Sequence, residues 1–315
     1  MNADPRFTGL SSSFWAHVRW ITEAVGYTAR GSGVVRDVSI TEMFGALSRL
    51  GRSVTALGTS SDPSDMALKL EEYFQFRAHV LNTHVRSDLM TASEAKCAFE
   101  EVKESVGAIP TGVEFRSKST GAIHAVEYLV GDSRVRVPFN KQSGEKRQEA
   151  FLTGIVNLLV AAKLNGMQCD YDPHKIPTVF KDGELCYTFS RRYDGSFPDT
   201  QNPIAMWEIK EYYYTTTFGS KISDAVYITS LDGYEREELQ RLTGVRIAHL
   251  VMVDAFDTWW LKGKSYLCRM VDILHMGHVD HLLFGKAVIR ELPPIVDGWV
   301  SAYRQRSLGP KRTVI

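Results

Sequence analysis

The sequence predicts a mixed α/β (α+β) fold preceded by a mainly helical N-terminal region, and three observations favour it. Apolar residues recur at helical spacing through residues 1–110. From Gly112 the pattern changes to short β-rich runs separated by Gly and Ser. Beyond Ser143 the apolar pattern follows the order helix, three strands, helix, strand. We therefore expect a helical region at 1–110 and a mixed core with a C-terminal extension at 111–315.

Four helices are predicted in the N-terminal region. Ser39 and Ser93 lie at capping positions, and Gly51 and Gly107 lie at stop positions. The helical runs are Ser12 to Val25, Thr41 to Leu50, Met66 to Val80 and Ala92 to Val106. Their apolar faces suit core packing, a dimer interface or DNA recognition equally well.

Strands and helices alternate in the predicted core. A helix from Glu145 to Leu164 has a broad apolar face, and Ile247 to Asp254 is typical of a fully buried strand. The other predicted strands are Gly112 to Phe115, Ala122 to Val130, Arg134 to Phe139, Thr178 to Phe180, Leu185 to Ser190 and Ile204 to Tyr212. Two further helices are predicted, Ser220 to Ile228 and Glu235 to Leu242.

Composition and charge exclude several classes of protein. The 44% hydrophobic content of this 315-residue chain excludes a disordered, collagen-like or disulfide-scaffold protein. The 37 basic and 37 acidic residues balance, which disfavours a protein that depends on non-specific attachment to nucleic acid. The longest mostly apolar stretch, Ala150 to Ala162, is shorter than the roughly 18 residues of a membrane span.

The cysteines and the N-terminus indicate a cytoplasmic protein. No Cys-x-x-Cys pair occurs, so neither a zinc ribbon nor a redox motif is predicted. The four cysteines, which we expect to be reduced, are Cys97, Cys169, Cys186 and Cys268. The N-terminal residues lack the charged start and apolar run of a secretory signal. We therefore expect a protein that is neither exported nor inserted in a membrane.

One segment carries a constellation suited to metal-assisted chemistry. Pro198-Asp199 precedes a short turn, and Glu208-Ile209-Lys210 follows on a predicted strand. Because side chains alternate along a strand, Glu208 and Lys210 project to one face. Two carboxylates and a backbone carbonyl, that of Ile209, make a hard oxygen site that suits Mg²⁺. A lysine beside such a site can orient or activate the water that attacks a phosphodiester.

These residues resemble the PD-(D/E)xK nuclease superfamily, whose best-known members are type II restriction endonucleases. The resemblance covers Ser143 to Asp254. It implies a restriction-endonuclease-like mixed sheet with helices on both faces. It also implies that Asp199, Glu208 and the Ile209 carbonyl hold the metal, and that Asp199, Glu208 and Lys210 are catalytic.

Two further carboxylates remain candidates for this site. Asp194, in Tyr-Asp-Gly, is an alternative first carboxylate, because the spacer from Asp199 to Glu208 is short for the family. Glu149 lies on the preceding predicted helix, from which a glutamate sometimes joins the site in such proteins. The sequence does not choose between Asp194 and Asp199.

The function implied by the resemblance is Mg²⁺-dependent cleavage of double-stranded DNA by a sequence-specific restriction or defence endonuclease. A homodimer is expected, because two-fold protein symmetry suits the cutting of both strands. Two alternatives stay open. One is a repair or mobile-element nuclease of the same fold, and the other is a non-catalytic DNA-binding or metal-binding protein.

Basic residues near the predicted site are candidates for contact with DNA phosphates. Lys221 lies at the start of the helix after the catalytic strand, where a phosphate can bind. A basic cluster precedes the core helix, and a phosphate contact positions DNA without reading its sequence. Its members are Arg134, Arg136, Lys141, Lys146 and Arg147.

Two other motifs could indicate a nucleotide site and a metal site, but a structural interpretation is favoured for both. Gly263-Lys264-Ser265 follows a strand, but Trp259-Trp260 would obstruct a loop that wraps a phosphate, so no nucleotide cofactor is expected. The segment from Asp272 to His281 holds nitrogen and oxygen ligands, among them His275 and His278. Because Gly277 is expected to end the helix there, helix-end histidines are the favoured interpretation over a metal-binding module.

Overall fold

A computed structural model of the chain describes residues 1–28, 33–52, 54–142, 144, 147–214 and 219–307. Its described residues form a mixed α/β fold with a helical N-terminal region, which confirms the predicted class. The predicted contact residue Lys146 lies outside these ranges.

Five helices precede the first strand in the described part of the chain. They are α1 Ser12–Val25, α2 Ile40–Arg49, α3 Asp65–Val80, the short α4 Arg86–Asp88 and α5 Ala92–Ser105. Ser39 caps α2 in a reciprocal capping box with Glu42, as its predicted capping position requires. The cap of α5 is Thr91, which pairs with Glu94, so the capping position predicted for Ser93 is wrong by two residues.

Three sheets follow. The first is an antiparallel meander of β1 Ile109–Arg116, β2 Ile123–Val130 and β3 Ser133–Pro138, and the second is a hairpin of β4 Thr178–Lys181 and β5 Glu184–Thr188. The third has the order β6 Gly195–Phe197, β7 Ala205–Glu211, β8 Ala248–Asp254 and β9 His281–Phe284. In this central sheet β6 is antiparallel to β7, whereas β7, β8 and β9 are parallel.

Helices cover both faces of the central sheet. One face packs against α6 Phe151–Leu164 and α9 Lys286–Ser307, where the rings of Trp207 and Trp299 stack with centroids 5.6 Å apart. The other face packs against α7 Ser220–Thr243 and α8 Lys264–His275. This layering confirms the expected arrangement. Among the described helices, none is both long enough and apolar enough to cross a membrane.

Several predicted boundaries are wrong for identifiable reasons. The core helix begins at Phe151, not Glu145, because Glu149 forms a β-bridge with Phe139, and Ala150 is extended and donates its N–H to the Pro138 carbonyl. The two helices predicted after residue 219 are one helix, α7. Gly233 lies inside α7 and does not interrupt it. A Cβ at this glycine would lie only 2.2 Å from the Cβ of His278. Here glycine permits close packing rather than a turn.

A buried carboxyl group fastens the segment after α4 to the end of β8. Asp254 accepts hydrogen bonds from the backbone N–H groups of Met90 and Ala255 and from the hydroxyl of Tyr213. Burial raises the pKa of Asp254 to about 7, although these hydrogen bonds oppose the shift. Its register partner on β7 is Glu211, whose pKa burial also raises to about 7.

Replacing Asp254 with asparagine is expected to remove part of the pH dependence of stability. Between about pH 4 and 7 the folded protein keeps the Asp254 proton while the unfolded chain releases it, so this group makes stability fall as pH rises. Relative to wild type, the variant should therefore be more stable at pH 8 than at pH 5, by up to about 3 kcal/mol. Urea unfolding at both pH values measures this gain. If the free energies of unfolding of the variant and of wild type differ by the same amount at pH 5 and at pH 8, Asp254 is not the titrating group.

Candidate active site

The candidate active site is a cleft of about 610 Å³ beside the start of β6. The walls come from β7, the first turns of α6 and α7, and the loop after β3. Four ionisable side chains of the central sheet and its preceding loop line it, namely Asp194, Glu208, Lys210 and Glu211. The cleft therefore gathers the predicted Glu-x-Lys motif and one of the two candidate first carboxylates.

Asp194 is placed in the cleft by the pairing of β6 with β7. The register pairs Gly195 with Trp207, so Asp194 lies beside the next residues of β7. Its Oδ2 accepts the Ile209 N–H at 2.7 Å, while its own N–H bonds to the Trp207 carbonyl. In an antiparallel pair the N–H and C=O of one residue point toward the same neighbouring strand. Because the Ile209 N–H points to Asp194, the Ile209 carbonyl is directed to the same side of β7. Two oxygen donors thus converge where β6 begins.

Gly195 allows this close approach. A Cβ at Gly195 would lie 1.9 Å from the ring of Trp207, which is fully buried beneath it. Any larger residue would displace either the tryptophan or β6. Glycine at this position therefore keeps Asp194 in contact with β7.

Asp194 holds a proton more readily than an ordinary aspartate. Desolvation raises the pKa of Asp194 to about 7, and repulsion from Glu208 adds to the shift while Lys210 opposes it. The residue is nevertheless exposed at the wall of the cleft. A cation entering the cleft would favour the ionised form.

Glu208 and Lys210 form a buried ion pair on the same face of β7. The Lys210 Nζ donates to Glu208 Oε2 at 2.6 Å, and both residues are less than 9% exposed. Burial lowers the pKa of Lys210, but the carboxylates of Glu208 and Asp194 outweigh it and raise the pKa above its ordinary value. Lys210 is therefore a charged hydrogen-bond donor and not a base.

The prediction that Asp199 lies beside Glu208 and shares a metal ion with it is wrong. Because β6 is antiparallel to β7, Asp199 follows the far end of β6 and lies beyond Ala205, not beside Glu208. It lines a separate surface pocket, where it accepts hydrogen bonds from Gln168, Thr200 and the Gln201 N–H. The structure brings Asp194, not Asp199, to the Glu-x-Lys pair.

Glu149 does not reach the cleft either. Its Oε1 accepts a hydrogen bond from the Tyr128 hydroxyl, and the residue forms an isolated bridge with Phe139 before α6 begins. The acidic group at the start of α6 is instead Glu211 from β7, which accepts the N–H groups of Phe151 and Thr153. Glu211 thus supplies the carboxylate that the helix N-terminus favours.

The described basic residues expected to contact DNA lie in three different places. Lys141 and Lys221 are exposed and line the cleft. Arg134 and Arg136 lie on the outer face of β3, where Arg134 pairs with Glu127 at 2.8 Å and Arg136 contacts His124. Arg147 donates to the Ile123 carbonyl and so stabilises the fold locally.

Arg191 and Asp232 are two further charged residues that contact the site, although no sequence motif marks them. Arg191 Nη1 lies 2.5 Å from Glu208 Oε1, and its Nε donates to Asp232 Oδ1 at 2.7 Å. A second Arg191 nitrogen, Nη2, also bonds Asp232, which is buried on α7. Arg191 precedes Asp194 by three residues in one short loop, a proximity that could have identified it.

The residues at the cleft fit a hard divalent cation. The donors are the carboxylates of Asp194 and Glu208 and the Ile209 carbonyl, all oxygens of the kind that Mg²⁺ prefers. Only two of the three donors are side chains. In keeping with this, no group of three or more His, Cys, Asp or Glu side chains that could hold a metal occurs among the described residues.

The histidine segment and the Gly263-Lys264-Ser265 motif both contact other parts of the fold. His275 accepts the Asp4 N–H, whereas His281 bonds the Asn2 side chain, so these histidines serve different contacts. Lys264 lies over the ring of Trp260, 5.1 Å from its centroid. Trp259 and Trp260 are buried in the short π-helical segment Phe256–Lys262 that precedes α8.

The chain belongs to a family described as a domain of unknown function (DUF7687), whose model matches residues 90–299. A second model, also described as a domain of unknown function (DUF7690), matches residues 1–84. No curated protein and no solved structure matches the chain. The first match spans all three sheets and the helices around them, so the cleft belongs to the DUF7687 domain.

Proposed function

We propose that this protein is a Mg²⁺-dependent DNA endonuclease of the PD-(D/E)xK type. The observation that carries the proposal is the convergence of Asp194, Glu208, the Ile209 backbone and Lys210 in one cleft. The first carboxylate is Asp194, contributed by the residue before β6. On β7, Glu208 is the second metal ligand and Lys210 is the catalytic lysine, as the sequence resemblance implies.

Each residue has a distinct role in the proposed reaction. Asp194, Glu208 and the Ile209 carbonyl would hold the ion, which would supply stabilisation of negative charge on the phosphate and a more acidic water. Lys210, charged and held by Glu208, donates hydrogen bonds to the attacking water or to a phosphate oxygen and so orients them. Lys141 and Lys221 contact the flanking phosphates at the rim of the cleft.

The proposed substrate is double-stranded DNA, and the proposed role is sequence-specific restriction or defence. The neutral net charge supports this role over that of an exonuclease with a broad basic groove. A homodimer would present two clefts to the two strands. The N-terminal helices would provide either DNA contacts or the dimer interface.

One observation favours a second candidate, a DNA-binding protein of the same fold that does not cleave. Both oxygens of Glu208 already bond cationic side chains, Arg191 and Lys210. A carboxylate so paired is less available to a metal ion. Cleavage assays separate the two candidates directly.

The proposal is tested by incubating the purified protein with unmethylated and methylated duplex DNA, in Mg²⁺ or in EDTA. Discrete Mg²⁺-dependent fragments are expected from wild type, because a sequence-specific enzyme cuts at defined sites. The Lys210→Met variant should give none while keeping the wild-type circular dichroism spectrum. Intact DNA in all wild-type reactions would reject the nuclease and favour the DNA-binding protein.

A further inference from the structure

Arg191 links two acidic residues that belong to different elements. Its guanidinium contacts Glu208 of β7 through Nη1 and Asp232 of α7 through Nε and Nη2. Nη1 also donates to the Arg192 carbonyl, and the guanidinium lies over the Tyr193 ring, 4.4 Å from its centroid. The guanidinium therefore has two carboxylate partners, one on the central sheet and one on α7.

Charges in this network balance without any bound ion. Lys210 and Arg191 supply two positive charges, and Glu208 and Asp232 supply two negative charges. Even with Asp194 ionised, adding a divalent cation beside Glu208 leaves an excess of positive charge in a poorly solvated site. Because both oxygens of Glu208 already bond cationic side chains, we expect one of these side chains to move away from Glu208.

Arg191 is the one that can move. Its side chain is 26% exposed, whereas that of Lys210 is 10% exposed. Arg191 also keeps a second carboxylate partner, Asp232, when it leaves Glu208. Lys210 donates to no carboxylate other than Glu208 in the described part of the chain.

Asp232 determines the direction of that movement. It is 1% exposed, and its nearest other basic group is His249 Nε2 at 3.9 Å. Burial lowers the pKa of His249 far below its ordinary value, so this imidazole is neutral. Because a buried unpaired carboxylate is costly, Arg191 stays on Asp232 and releases Glu208.

We propose that Arg191 is a positioning residue that pairs with Glu208 in place of the divalent ion and turns to Asp232 alone when the ion binds. The inference rests on the proposed metal site. It assigns Arg191 a role that the Glu-x-Lys motif does not include. Arg191 lowers the affinity for metal and keeps Glu208 oriented while the cleft holds no ion.

The test is Mn²⁺ binding without DNA, measured from the electron paramagnetic resonance signal of free Mn²⁺. The variant Arg191→Met/Asp232→Asn removes both charges together, which avoids a buried unpaired carboxylate. Its Kd for Mn²⁺ should fall about tenfold, the equivalent of ~1.4 kcal/mol. The matched control is Arg192→Met, which removes an exposed charge from the same loop but no described ion pair, and its Kd should stay at the wild-type value.

Two further variants keep the test decisive. Arg191→Lys retains the charge but lacks the planar fork, so it should stay on Asp232 and also bind Mn²⁺ more tightly than wild type. Asp194→Asn should bind Mn²⁺ more weakly. A wild-type or higher Kd in both Arg191 variants, with binding lost in Asp194→Asn, would overturn the role of Arg191 and leave the site intact. Equal Kd values in wild type and Asp194→Asn would overturn the site itself.

Discussion

Replacing Asp194 with asparagine is expected to lower Mg²⁺-dependent DNA cleavage about 1000-fold, since removing a carboxylate ligand costs several kcal/mol of transition-state stabilisation. The substitution preserves the fold, because the asparagine Oδ1 still accepts the Ile209 N–H. Initial cleavage rates at saturating Mg²⁺ measure the effect. The melting temperature of the variant should be at least that of wild type, because the raised pKa of Asp194 means that its ionised form costs stability near neutral pH.

Asp199→Asn is the matched control for that prediction. Asp199 lies in a separate pocket, and an amide can keep the hydrogen bonds from Thr200 and the Gln201 N–H. Its cleavage rate should remain within about twofold of wild type. The opposite pattern, with Asp199→Asn inactive and Asp194→Asn active, would contradict the assignment of Asp194.

Replacing Arg77 with methionine is expected to lower the free energy of unfolding by about 3–5 kcal/mol, because it leaves a buried charge without its partner. Arg77 of α3 is 1% exposed and donates to both oxygens of Asp272 on α8. Tyr73 donates to the same carboxylate and Arg77 also bonds Thr22. This network joins the N-terminal helices to the domain that holds the cleft.

Urea unfolding of Arg77→Met measures this loss, and the double variant Arg77→Met/Asp272→Asn is its control. The double variant should recover much of the lost stability, since it removes both charges together. If the single and double variants are equally unstable, the loss comes from packing around Arg77 and not from the unpaired carboxylate. That result would contradict the electrostatic explanation.

Periodicity predicted some elements of this fold well and others poorly. The helices α1, α2, α3 and α5 and the buried strand β8 lie close to their predicted positions, because each has a continuous apolar face. Periodicity divided α7 into two helices and did not predict α9. The three residues of β6 lie in a stretch rich in turn-forming residues, and no local signal marks them as a strand. They are extended because β7 on one side and Asp170 on the other supply hydrogen-bond partners.

The candidate site was predictable only where it lies on a long strand with a clear periodic pattern. Glu208 and Lys210 lie on a long strand, so their shared face follows from alternation alone. The first carboxylate depends on β6, and Asp194 and Asp199 lie at its opposite ends. Without the antiparallel register of β6 and β7, the sequence could not choose between them.

The contact of Arg191 with Glu208 depends on tertiary structure alone. It requires the loop before β6, the middle of α7 and the strand β7 to meet. Asp232 is 24 residues from Glu208 in the sequence, too far for any local pattern to link them. Arg191 lacks a motif of its own and differs from the neighbouring Arg192 only in its contacts.

The most direct test of the proposed site is anomalous X-ray diffraction from crystals of the wild-type protein soaked in Mn²⁺. The ion should appear about 2.1 Å from oxygens of Asp194 and the Ile209 carbonyl, with Glu208 as a further ligand. Arg191 should then contact Asp232 and no longer Glu208. An anomalous peak at Asp199, or none in the cleft at saturating Mn²⁺, would contradict the account.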